Sequence, residues 1–301
     1  MKEIMDETNG NFVGIGIYMT IDVENNTILI ISPIENSPAE KAGILPGDVI
    51  TKVDDVEYTG EQMDEVANKI KGEEGSQVKL EILRDGKTET FEITRKKVVV
   101  SHIATKVLEN NIGYIAISNF DGNCAEEFKT KYKELEKQGI KKLIIDIRNN
   151  GGGIVDEAIE IANTIVDKGN TLLITKDKQD NEDVTKATEN AIIDMPVVVL
   201  MNEYSASASE ILAGALRDNN KATLIGTKTY GKGIIQELHQ LSDGSGLKIT
   251  VSEYYTPNHV AINKIGITPD IEVELPDNVK KQVNLEQKDD TQLKKALEIL
   301  K

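Results

Sequence analysis

The most constraining feature of the chain is a pair of strand-like runs without polar alternation, at residues 142–147 and 196–201. A strand that is apolar along its length needs both faces covered, as in a parallel sheet packed between layers. Each run leads through a turn of small residues into a helical period, over residues 156–166 and 206–217. A lysine- and glutamate-laced amphipathic helix, residues 124–138, is stopped by Gly139 and follows a strand at 112–117. Strand, crossover helix and strand in this order predict an α/β layer with parallel pairing. Further strands are expected at 222–226, 234–241 and 247–255, the last two as a hairpin, and a short amphipathic helix at 293–300.

Before residue 97 the texture differs. β-Branched runs at 13–18, 27–32, 48–53, 78–83 and 88–94 are separated by glycine turns, and two helices interrupt them. Ser37-Pro38-Ala39-Glu40 reads as a helix start ended by Gly43, and residues 60–70 as a second helix stopped by Gly72. A domain boundary is therefore expected near Lys97.

The 301 residues carry a formal charge of −16, which repels phosphate backbones and argues against nucleic acid as a partner. One cysteine, Cys124, excludes an internal disulfide and a four-thiolate metal site. The acidic first residues lack the apolar core of a signal peptide, and no apolar run approaches a membrane span.

Three stations bear chemistry. Asp146-Ile147-Arg148-Asn149-Asn150-Gly151-Gly152-Gly153 follows a buried strand, and its glycines form either a plain turn or a nest of NH groups for an anion. Ser205-Ala206-Ser207-Ala208-Ser209-Glu210 stands at a strand-to-helix turn. Ser207 and Glu210 fit a capping box, and the same turn can present a serine hydroxyl beside free NH donors. No histidine among the three (His102, His239, His259) stands in a triad context, so a lysine base is considered; it must be neutral, which requires apolar burial. Lys232, between Gly231 and Gly233, has the least charged neighbourhood of any lysine in this half of the chain; the alternative is a plain solvent-exposed turn lysine. The span Gly226 to Lys232 has the spacing of a phosphate loop, but Gly233 replaces the hydroxyl residue and a strand follows instead of a helix. Gly14-Ile15-Gly16 as a dinucleotide turn lacks a third glycine and a helix.

Together the stations resemble the carboxy-terminal processing (tail-specific) serine peptidases, with their D-x-R-x-N-x-G-G, S-A-S-A-S-E and G-K-G-x-x-Q segments. The resemblance implies Ser207 as nucleophile, Lys232 as general base and Gln236 as the residue orienting the lysine amine. It implies oxyanion donors at the Ala208 amide and at Gly152 or Gly153, with no metal and no organic cofactor. Gly151 stands where proline is frequent in that family.

The first segment is similar to the PDZ domain of the same family. Phe12-Val13-Gly14-Ile15-Gly16-Ile17 resembles its carboxylate-binding loop, and residues 37–50 its most recognisable stretch. The implied fold is mixed α/β (α+β): a PDZ domain over 11–97, then an α/β peptidase core over 98–275 with crotonase-like sheet-and-helix layers. Residues 276–301 are a polar linker and short helix, and 1–10 a remnant of a leading helical region. The implied partners are protein or peptide substrates with free C-termini. The family's usual N-terminal anchor and leading helices are missing, so Met1 is taken as a trimmed start. An extracytoplasmic location, an exported or membrane-anchored native protein, and a homo-oligomer built through those helices are the matching expectations. An inactive PDZ peptide-binding scaffold is the alternative.

Overall fold

The computed structural model describes residues 11–242, 245–276, 279 and 287–301. The expected helical remnant at 1–10, the tip of the 234–255 hairpin and most of the expected linker lie outside the described residues. The chain divides into two compact units, with the boundary at Val100 and Ser101, three residues beyond the expected one.

The first unit contains β1 (Asn11–Gly14), β2 (Ile17–Asp22), β3 (Thr27–Pro33), α1 (Pro38–Ala42), β4 (Val49–Val53), β5 (Val56–Glu57), α2 (Met63–Ile70), β6 (Gln77–Arg84), β7 (Lys87–Thr94) and β8 (Lys96–Val99). Strands β2-β3-β4-β6-β7 form an antiparallel sheet in that order, β5 pairs with β4, and β1 pairs with β8. The expected strand at 13–18 is two strands, because Gly16 adopts φ +78 and its Cα lies so close to Ser37 that a Cβ would fall 2.5 Å from the serine Cβ. Alternate residues Ile28, Ile30, Leu80 and Ile82 are buried with Val66 and Ile70 of α2. The helix α1 begins as expected: Ser37 Oγ accepts from the Glu40 amide at 3.2 Å, and Gly43 closes it at φ 89.

The second unit is built on a sheet ordered β18-β15-β14-β11-β10-β9, from β9 (Ile103–Leu108), β10 (Ile112–Ile117), β11 (Lys142–Asp146), β14 (Val197–Met201), β15 (Ala222–Gly226) and β18 (Ile271–Glu272). Neighbours from β10 to β18 run parallel, and β9 is antiparallel at the edge. Leu143, Ile145 and Val199 bury one face against α3 (Cys124–Lys137), α4 (Val155–Asn163) and α5 (Ala208–Asp218). Ile144, Val198 and Leu200 bury the other against α6 (Thr291–Ile299). Each such side chain contributes about 1.5–3 kcal/mol, which explains why the two central strands carry no polar alternation. The C-terminal helix is thus a covering layer of the core and not an appendage to it.

Besides β5, β8, β9 and β18, the sequence reading misses β12 (Thr171–Asp177) and β13 (Glu182–Lys186). The latter two join β16 (Ile234–Gln240) and β17 (Gly246–Tyr255) in a second antiparallel sheet, ordered β13-β12-β17-β16. Strand β13 is mostly exposed, so it lacks the buried alternation that marks a strand. No described helix is long and apolar enough to cross a membrane.

Candidate active site

Strand β14 ends at Met201, and the chain turns through residues 202–207 into α5. Ser207 adopts φ 55 and ψ −116, a backbone conformation that costs a non-glycine residue about 1–3 kcal/mol. The surroundings hold it there: its amide donates to Glu210 Oε2 at 2.9 Å, and the amides of Glu210 and Ile211 donate to its carbonyl. The expected capping box is present: the Glu210 side chain reaches back to the Ser207 amide, and the Glu210 amide faces the Ser207 side chain and donates to the Ser207 carbonyl.

The other two serines are occupied. Ser205 and Ser209 are fully buried, and their hydroxyls donate to the carbonyls of Ile147 (2.8 Å) and Asn150 (2.9 Å). Only the middle serine is partly exposed. Ser205 and Ser209 thereby stitch the serine turn to the glycine turn that follows β11.

That turn lies against the nucleophile candidate. A Cβ on Gly152 (φ +109) would fall 2.7 Å from Ser207 Cβ, and one on Gly153 (φ +140) 2.4 Å from the Phe120 carbonyl oxygen. Both positions demand glycine. Gly152 NH already donates to Asn150 Oδ1 at 2.9 Å, while no described acceptor takes the amides of Gly153 or Ala208. Ala208 is the first residue of an 11-residue helix, where NH groups are free and the helix dipole favours negative charge.

Beneath the turn, Arg148 is clamped by Asp146 (Nη2 to Oδ2, 2.6 Å) and by Asp290 at the start of α6 (Nη2 to Oδ2, 2.9 Å). Burial disfavours the guanidinium charge, but the two carboxylates outweigh it and hold the group protonated above its ordinary range. The Tyr114 hydroxyl donates to Asp146 Oδ2 at 2.6 Å, and burial, then the aspartate charge, raises its pKa.

The lysine turn arrives from β15. Fully buried Glu210 accepts four hydrogen bonds: from the Ser207 amide (2.9 Å), the Lys232 amide (2.9 Å), the Gly231 amide (2.8 Å) and Thr229 Oγ1 (2.5 Å). A carboxylate thus fills the position a phosphate would take in the phosphate-loop reading, and β16 follows where that reading needs a helix. The Lys232 side chain itself is exposed, where the sequence reading required apolar burial. The flanking glycines that lower local charge pack tightly, Gly233 against Asn263 and Gly231 against Gly266, and leave the lysine projecting outward. Gln236 is also exposed, and its amide donates to Thr250 Oγ1 at 3.4 Å beside a bulge between Ile235 and Gln236. The structure therefore brings Ser207, Ala208, Gly152, Gly153 and the backbone of Lys232 together. It does not bring the Gln236 amide onto the lysine amine.

One neighbour was not read from sequence. Tyr254 is 1% exposed, its amide donates to the Gly233 carbonyl at 3.0 Å, and its hydroxyl donates to the Lys232 carbonyl. As the penultimate residue of a predicted strand it carried no signal distinguishing it from Tyr255. His102 lies elsewhere, its ring against Ser118 Oγ (3.2 Å) and Asp121 (3.0 Å). Among the described residues no cluster of three or more His, Cys, Asp or Glu side chains could hold a metal ion.

In the first unit, Phe12 and Val13 belong to β1 and pair with Val98 and Lys97. Gly14 ends that strand, Ile15 is fully buried, and Ile17 opens β2. The Gly16 carbonyl accepts from Ile34 and the Ile15 carbonyl from Ala39, which fixes the loop from its acceptor side. Strand β2 is an edge of its sheet.

Comparison with known proteins agrees with this anatomy. The model of "Peptidase family S41" matches residues 111–273, and that of "PDZ domain" residues 29–84. The chain is 41% identical to a carboxyl-terminal-processing protease of Synechocystis over 89% of its own length and 64% of that protein. It is 40% identical to a probable CtpA-like serine protease of Staphylococcus haemolyticus, over 91% of its own length and 55% of that protein. It thus spans little more than half to just under two thirds of these relatives. Among solved structures, a photosystem II D1 C-terminal processing protease superposes with a TM-score of 0.54 at 36% identity, covering 89% of this chain and 74% of that one.

Proposed function

From the premise that the chain belongs to peptidase family S41 and carries a PDZ domain, we propose that it is a serine endopeptidase using a Ser207-Lys232 dyad and reading the C-terminal tails of its substrates. The observation that carries the reading is the convergence on Ser207: a strained, partly exposed serine faces Gly152 and shares Glu210 with Lys232.

In this mechanism neutral Lys232 Nζ takes the Ser207 proton as Oγ attacks the substrate carbonyl carbon. The tetrahedral oxyanion is held by the Ala208 and Gly153 amides, and the Asn150 bond to Gly152 fixes the turn that presents them. Collapse expels the amine, which receives the proton from Lys232 and leaves an acyl-enzyme. Water then repeats the sequence with the lysine as base. The exposed lysine must become enclosed for this chemistry, and a bound peptide chain is the material that encloses it.

The PDZ unit takes the substrate's terminal residues as an added strand on the β2 edge, with the carboxylate at the loop from Phe12 to Ile17. Action outside the cytoplasm, with the native protein exported or anchored, belongs to the same reading; cell fractionation tests it. The exposure of Lys232 and the engagement of Gln236 by Thr250 favour a second reading, a peptide-binding scaffold that does not cut. Cleavage of a tail-bearing peptide by the wild type, and its loss in Ser207→Ala and Lys232→Ala, separates the two. Tail binding without cleavage by the wild type establishes the scaffold.

A further inference from the structure

Building on the dyad reading, we propose that Asp290, at the head of α6, is a positioning residue that holds the oxyanion turn in place through Arg148. No N–H of the Arg148 guanidinium is left over. Its Nε donates to both oxygens of Asp146, each at 3.0 Å. Its Nη1 donates to Asp290 Oδ1 at 3.1 Å and Gln292 Oε1 at 3.0 Å, and its Nη2 to Asp146 Oδ2 at 2.6 Å and Asp290 Oδ2 at 2.9 Å. The group therefore has no donor for a substrate. It fastens the segment between β11 and the glycine turn to α6 by a charge-assisted fork. The pair is enclosed, with the side chains of Arg148 and Asp290 11% and 4% exposed.

Asp290 serves two partners with one carboxylate. Its Oδ1 accepts the Leu293 amide at 2.8 Å, which caps α6, and the same atom accepts Arg148 Nη1. Beyond Arg148 the chain bends at Asn149 (φ 60), whose amide and side-chain oxygen pair with the Asn202 side chain of the serine turn, both at 2.9 Å. The Asn150 carbonyl accepts the Ala206 amide and the Ser209 hydroxyl, and its side chain accepts the Gly152 amide. Successive residues thus tie one stretch of backbone to α6, to the serine turn and to Gly152. With Asp290 gone, Arg148 keeps Asp146 and the neutral Gln292, and the stretch loses its charged anchor on α6. Gly152 and Gly153 then shift against Ser207 while no substrate contact is lost, so the effect falls on the chemical step.

The test uses the full chain and compares wild type, Asp290→Asn, Asp290→Ser, Thr291→Val and Ser207→Ala. Asparagine and serine cap a helix about as well as aspartate, so both keep α6; asparagine retains an oxygen for Arg148, and serine is too short to reach it. Thr291→Val removes a different tie of α6, the Thr291 hydroxyl bond to the Glu274 carbonyl at 2.7 Å, and does not touch Arg148. Acylation by a fluorophosphonate is normalised to the sites finally labelled, so partial misfolding does not enter the rate. Hydrolysis of a tail peptide gives kcat and KM separately. Asp290→Ser is expected to lower the acylation rate and kcat about tenfold or more with KM unchanged, and Asp290→Asn to fall between it and the wild type. Thr291→Val keeps wild-type values. Wild-type acylation in Asp290→Ser, or equal slowing in Thr291→Val, overturns the positioning role alone. Acylation that persists in Ser207→Ala overturns the dyad reading on which it rests.

Discussion

Ser207 and Lys232 donate their backbone amides to one oxygen atom, Glu210 Oε2, each at 2.9 Å. The register of the candidate nucleophile and base is therefore set by a buried carboxylate and not by contact between their side chains. Glu210→Gln keeps the shape but replaces one acceptor oxygen with a donor, leaving buried amides unpaired at about 1–3 kcal/mol each. The expected result is a melting temperature lower by roughly 4–10 °C together with loss of acylation, read by calorimetry and active-site labelling on the same sample. An active, fully stable Glu210→Gln denies the carboxylate this role.

Gly151 and Gly152 offer a matched pair. A Cβ at Gly151 meets nothing within 4 Å, whereas at Gly152 it meets Ser207 Cβ at 2.7 Å with φ +109. Gly151→Ala should change stability by no more than about 0.5 kcal/mol and keep activity. Gly152→Ala should abolish acylation. Peptide turnover with chemical denaturation of both variants checks the contrast, and equal behaviour of the two contradicts it.

Much of the site around these glycines is legible in the amino-acid sequence. The run Asn150 to Gly153, the three serines and the Gly231-Lys232-Gly233 turn each stand out locally, and the parallel order of the central strands follows from their unbroken apolar character. Tertiary pairing is what stays hidden. Glu210 reads as a helix cap from Ser207, yet two of its four bonds go to Gly231 and Lys232, on a loop with no local signal pointing back. Lys232 reads as enclosed because its sequence neighbours are uncharged, yet glycines that pack against Asn263 and Gly266 turn it outward. Strand β13 carries no pattern to read because it is mostly exposed, and the break at Gly16 is silent because its cause, Ser37, is remote in sequence.

Cys124 supplies a prediction in alkali. Burial, then the charges of Glu157, Glu127 and Asp121, pushes its thiol up from an ordinary value of 9.0 to about 12. Below pH 9 both folded and unfolded chains keep the proton, so this group adds no slope. Between pH 9 and 12 only the unfolded chain releases it, and stability falls as pH rises. Denaturant midpoints at about pH 8 and about pH 10.5 should show this decline, and Cys124→Ala should lessen it. The native thiol should also resist alkylation at about pH 8 and react on unfolding.

Tail recognition is tested by matched acid and amide peptides on the full chain. Losing the terminal charge removes hydrogen bonds worth about 1.5–3 kcal/mol, so affinity should drop roughly tenfold or more. Calorimetry that gives equal affinities for the two peptides eliminates the carboxylate loop from Phe12 to Ile17 as the reader.

The most direct test of the dyad is fluorophosphonate labelling of the wild-type chain and of Lys232→Ala, with the modified residue mapped by mass spectrometry. The dyad mechanism predicts one modified residue, Ser207, with Ser205 and Ser209 untouched because their hydroxyls are buried on the carbonyls of Ile147 and Asn150. It predicts no labelling in Lys232→Ala. A label on any other residue, or an unlabelled chain that still cleaves a tail peptide, contradicts it.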